Sequence, residues 1–155
     1  MKLTNQILIF ALILLSGCAT PYKPPSSGPQ AYMKFTDNMG PNIYHDRRQT
    51  TVHFFENANC SERTYIESKD WVAVPANKPI GFHQFWSTLG SGLVQGYCGR
   101  WAKLELKEGQ RVEITYNFEA KGLRWHCDLQ ALEKTPSGEA VFGVPLKRLE
   151  GENCK

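Results

Sequence analysis

Five cysteines and four histidines are the residues of this 155-residue chain best suited to chemistry. Cys18 stands apart near the start, while Cys60, Cys98, Cys127 and Cys154 are spread through the remainder. No C-x-x-C occurs and no two of these thiols are close in sequence, so the spacing of a zinc site is missing. The histidines, at positions 45, 53, 83 and 126, have no second histidine or cysteine two or four residues away. They read as surface or half-buried structural side chains rather than metal ligands. The Gly-x-Ser-x-Gly nucleophile elbow is absent, and Gly90-Ser91-Gly92, the nearest string, lacks both the spacing and the strand-to-helix setting. Glu105, Glu113 and Asp128 alternate with apolar neighbours, as carboxylates do on the wet face of a strand. The expectation is a protein with no catalytic residue, no metal and no cofactor.

The chemistry that does have the right spacing is at Cys18. Ahead of it lie Lys2 and an uncharged run from Ile7 to Leu15, then Ser16-Gly17. That run is too short for a membrane span, which needs roughly 20 apolar residues. It fits a secretory leader with a charged start, an apolar centre and a small-residue cleavage site. Leu15-Ser16-Gly17-Cys18 resembles the lipobox of bacterial lipoproteins. The resemblance covers residues 1–18 and implies cleavage before Cys18 and attachment of acyl chains, palmitate among them, at that residue. Each buried methylene of such a chain contributes about 0.8 kcal/mol to membrane binding. Ala19 follows, where an aspartate would retain a lipoprotein of this kind in the inner membrane. The resemblance therefore implies outer-membrane localisation, with the domain in the periplasm and the membrane as a partner through the N-terminal lipid.

Setting Cys18 aside leaves an even number of cysteines in a chain bound for an oxidising compartment, where structural disulfides are expected. Four cysteines permit three pairings, and the sequence does not choose among them. The preferred set is Cys98 with Cys127, closing a hairpin, and Cys60 with Cys154, pinning the C-terminal tail. Loss of Lys2 with the leader reduces the 18 Lys and Arg residues to 17, against 15 Asp and Glu. That near balance, with the basic residues scattered, gives no electrostatic footprint for nucleic acid.

What must position these groups is a set of strands. Residues 18–30 hold a proline, serine and glycine cluster with little to bury, and read as a lipidated, disordered tether. Residues 31–155 form one domain. Val112, Ile114, Tyr116 and Phe118 alternate with polar residues, as do Ala102, Leu104 and Leu106 before Lys107-Glu108-Gly109-Gln110. Together they predict an antiparallel hairpin. Trp125, Cys127, Leu129 and Ala131 give the next strand. Others are expected at 32–35, 50–56, 71–74, 79–86 and 140–144, with irregular chain over 36–50 and at most one helical turn within 59–69. Seven to eight short antiparallel strands separated by turn residues predict an all-β fold, a single disulfide-stapled immunoglobulin-like β-sandwich, with a small closed barrel as the rival. The stretch from the turn near Lys78 through Cys98 to Cys127 loosely resembles uncharacterised immunoglobulin-like lipoproteins of proteobacteria, a similarity of spacing that transfers no functional residue.

One segment carries aromatic residues on both strand faces. Phe82, Phe85, Trp86, Leu89 and Tyr97 stand in or beside the glycine-spaced stretch before Trp101 and form a candidate partner-binding edge. The functional expectation is a non-enzymatic interaction or envelope-assembly module with an envelope protein as partner. The alternative is a periplasmic enzyme inhibitor or small-ligand carrier like the lysozyme-inhibitor lipoproteins.

Overall fold

The computed structural model of the chain describes residues 20–39, 48–55, 64–66, 70–88, 97–121 and 124–149. These form eleven strands: β1 (Thr20–Pro21), β2 (Gln30–Met39), β3 (Arg48–Phe55), β4 (Thr64–Ile66), β5 (Val72–Pro75), β6 (Pro79–Thr88), β7 (Tyr97–Glu105), β8 (Arg111–Lys121), β9 (Arg124–Lys134), β10 (Ala140–Gly143) and β11 (Lys147–Leu149). Six build one sheet in the order β1-β4-β3-β6-β7-β11, and five build the other as β10-β9-β8-β2-β5. The expected all-β sandwich is the fold. It has more strands than the turn spacing suggested, because strands as short as β1, β4 and β11 carry no pattern of their own.

The core lies between the sheets and follows the period-two pattern closely. Val112, Ile114, Tyr116 and Phe118 of β8 are buried, and so are Ala31, Met33 and Phe35 of β2, Val52 and Phe54 of β3, and Ile80 and Phe82 of β6. Phe35 from one sheet meets Phe82 from the other edge-on, with ring centroids 5.4 Å apart. Among the described residues, one amide interrupts this apolar layer. Gln84 is buried and its Nε2 donates to the Thr36 carbonyl across the interior, at 3.4 Å.

Cys98 of β7 and Cys127 of β9 are bonded, with Cα atoms 6.2 Å apart. The pairing is the expected one, but its role differs. The two residues sit in opposite sheets, so the bridge staples the layers together instead of closing a hairpin. Tyr116 and Phe118 pack around it, and the Tyr116 hydroxyl donates to the Cys98 carbonyl at 2.6 Å. Cys18, Cys60 and Cys154 lie outside the described residues.

The expected hairpin of 102–106 with 111–118 does not form. Strand β7 is flanked by β6 and β11, while β8 pairs in parallel with β2 and antiparallel with β9. Residues 107–110 therefore carry the chain from one sheet to the other. Gly109, at φ +75°, donates its N–H to the Gln30 carbonyl, and the Tyr32 N–H donates to the Gln110 carbonyl. These bonds lock the crossover against the start of β2. Residues 76–78 make a similar crossover from β5 to β6, where the Asn77 N–H donates to the Leu106 carbonyl. Parallel pairing of β2 with β8, and of β1 with β4, also departs from the expected wholly antiparallel arrangement.

Three shorter readings change too. β2 runs on to Met39 and β3 starts at Arg48, so 36–39 and 48–50 of the stretch expected to be irregular are strand, and the positions between them lie outside the described residues. Thr64–Ile66 is strand, where a helical turn was considered. The tether begins as structure: Thr20 and Pro21 pair with β4, and the Tyr22 ring packs 4.6 Å from that of Phe54. One aromatic side chain with a core contact outweighs the entropy that the surrounding prolines have already reduced.

Candidate binding edges

The residues singled out from sequence separate once the sheets are assembled. Phe82 is fully enclosed in the main core and is withdrawn as a binding residue. Its alternation with Ile80 and Gln84 turns it toward the opposite sheet. Phe85 points the other way and is half-buried. It stacks on His53 and His83, at 5.4 and 5.2 Å between ring centroids. The register sets His53 opposite His83 and His83 opposite Trp101, so these side chains form one row across three strands. His83 lies 3.9 Å from Trp101 and Phe55 5.4 Å from it, both stacked. Phe55 and His83 are buried, which makes this row a packed face and not a set of accessible anchors. Trp86 pairs with Cys98 and Tyr97 with Ser87, but the side chains of Trp86 and Tyr97, like all of Leu89, lie outside what is described.

Among the described residues, the exposed large apolar side chains are at the two lateral edges of the sandwich. At one edge β10 ends its sheet, with β9 as its pairing partner among the described residues. Ala140 pairs with Lys134 and Gly143 with Leu132, so three steps along β10 match two along β9. This is a β-bulge, and it sets Val141 and Phe142 together against one residue. Both side chains are turned outward, 53% and 56% exposed. Edge strands usually carry charge or proline against unwanted pairing; Ala140-Val141-Phe142-Gly143 carries neither. Phe142 borders an open hollow of about 710 Å³, shared with Val144, Pro145, Lys107 and the carboxylates of Glu105, Glu108 and Glu133. Glu133 is held by the Gln110 amide at 2.7 Å. The rim is therefore apolar with net negative charge.

The opposite edge is aromatic. Here β1 and β4 close one sheet and β5 closes the other, and a groove of about 520 Å³ runs between them. Tyr22, Tyr32, Tyr65 and Trp71 line it with Pro21 and Pro24. The Tyr22 hydroxyl donates to the Ala73 carbonyl at 3.1 Å, bridging the two sheets at this seam. Arg111 is stacked beside the groove, its guanidinium carbon 4.4 Å from the Trp71 ring centre and 5.8 Å from that of Tyr32. Cation–π contacts of this kind hold an arginine in place beside the rings.

No family model matches the chain, and no curated protein or solved structure is significantly similar to it. The carboxylates considered from sequence are engaged or exposed: Glu113 pairs with Lys134 at 2.9 Å, Asp128 with Arg148 at 2.6 Å, and Glu105 faces solvent. Among the described residues no three His, Cys, Asp or Glu side chains gather as a metal site would require.

Neither edge was visible in the sequence. Val141 and Phe142 are adjacent, so a regular strand would bury one of them; the bulge exposes both. Trp71, Tyr32 and Arg111 are far apart along the chain. Register alone, with Tyr32 opposite Arg111, brings the last two together. An available signal was the pair Val141-Phe142 in a strand too short to be central.

Proposed function

We propose that the protein is an outer-membrane-anchored periplasmic lipoprotein that acts as a non-enzymatic interaction or envelope-assembly module. The single observation that carries the module reading is the β10 edge, where Val141 and Phe142 stand exposed and without neighbouring charge on their own strand. The Leu-Ser-Gly-Cys string supports the anchor, and an inter-sheet disulfide is at home in an oxidising compartment. The partner is a protein of the envelope, and Phe142 is its anchor point. Aromatic side chains at the centre of an interface commonly dominate its energetics. The bulge disfavours simple strand addition along this edge, so recognition proceeds through side chains entering an apolar pocket. Basic groups on the partner would complement Glu105, Glu108 and Glu133 around it.

A photo-crosslinking amino acid placed at position 142 in the native envelope tests the proposal. The expected result is a discrete adduct that disappears when Val141→Lys is added, and that is not formed from position 37 on β2. No adduct from position 142, or the same adducts from both positions, would remove β10 as the docking edge.

A further inference from the structure

We infer that the aromatic groove is the membrane-facing surface of the domain, and that its occupant is the phospholipid headgroup region of the bilayer to which Cys18 is tied. This inference rests on the reading of Cys18 as the lipidated residue. From there the chain has two peptide steps before Thr20, which is already paired in β1. Two extended residues reach at most about 7 Å. Pro21 and Tyr22 follow at once and themselves line the groove. A domain held on so short a leash cannot stand off from the surface. Its anchored edge lies in the headgroup layer, and the groove is that edge.

The side chains fit this occupant. Tyr and Trp concentrate at membrane–water interfaces because each has an apolar body and a polar handle. Tyr22, Tyr32, Tyr65 and Trp71 supply four such groups, and Tyr32 is 37% exposed. Lys23 is exposed between the prolines, and Arg111 is fixed over Trp71; both are suited to lipid phosphates, and among the described residues Asp70 is the carboxylate next to Trp71. Seating this edge on the bilayer turns β10, at the far end of its sheet from β5, away from it. The sandwich then spans from lipid to partner, with its two accessible edges assigned to different surfaces.

Hydroxyl-radical footprinting of the wild-type lipidated protein tests this without a substitution. Oxidation is compared between detergent-solubilised protein and protein on vesicles of phosphatidylethanolamine and phosphatidylglycerol. Tyr32 and Trp71 should become at least threefold less reactive on vesicles, while Phe142 is unchanged. Intact mass of the same sample reports whether Cys18 carries lipid. A protein without lipid at Cys18 would overturn the anchoring reading and this inference with it. A lipidated protein whose Tyr32 and Trp71 react equally in both settings, or whose Phe142 is protected as strongly, would overturn the inference while leaving the anchor intact.

Discussion

Tyr22→Ala separates a docked N-terminal strand from a free tether. The ring packs on Phe54, its hydroxyl bonds the Ala73 carbonyl, and its N–H bonds the Tyr65 carbonyl. Alanine keeps only the last of these. Loss of the hydroxyl's hydrogen bond is worth about 1 kcal/mol, and the aromatic pair a further 0.5–1.5 kcal/mol or so. Tyr22 is only half-buried, so the packing loss is roughly half of the ~3–5 kcal/mol typical of a fully buried aromatic. These contributions overlap, and the expected destabilisation is about 2–3 kcal/mol. Urea unfolding of the lipid-free chain, followed by fluorescence, measures it. With a slope near 2 kcal/mol per molar, the midpoint should fall by roughly 1–1.5 M. Tyr22→Phe retains the ring and should lose about 1 kcal/mol or less, assigning the hydroxyl its share. A tether would respond like any exposed site, within about 0.5 kcal/mol. That result for Tyr22→Ala would refute the docking, and the short-leash argument for the membrane face would fall with it.

Two further outcomes concern the core. Ile114→Ala removes a fully enclosed side chain between Phe35 of β2 and Ala131 of β9, and should cost about 2–5 kcal/mol in the same assay; a loss under about 0.5 kcal/mol would mean that the register of β8 is wrong. Replacing Cys98 and Cys127 together by alanine opens a link spanning 29 residues and should cost roughly 3–4 kcal/mol by chain entropy. A loss below about 1 kcal/mol would show that the packing around Tyr116 holds the sheets together without the bridge. Non-reducing peptide mapping of the wild type should return the Cys98–Cys127 peptide, and with it Cys60–Cys154.

What the sequence determined by itself is local. Alternation such as Val112, Ile114, Tyr116 and Phe118 settles that a segment is a strand and which side of it is wet, because side chains point to opposite faces at every step. It also marked the chain as all-β, and the four cysteines beyond Cys18 marked it as bridged. Only the tertiary structure decided which strands are neighbours. An apolar face looks the same whether the next strand is hydrogen-bonded beside it or packed across the core, so 102–106 and 111–118 read as a hairpin although they lie in opposite sheets. The parallel pairing of β2 with β8 joins residues nearly eighty positions apart, and nothing near either segment encodes it. The same long-range pairing placed Arg111 beside Tyr32, and an irregular match with β9 turned Val141 and Phe142 outward together. Phe82 went inward because it shares a face with Ile80, a parity the sequence shows, while the choice of which face meets the other sheet belongs to the assembled fold. The accessible edges are therefore products of register and sheet order, which depend on contacts between distant segments and not on the composition of any one of them.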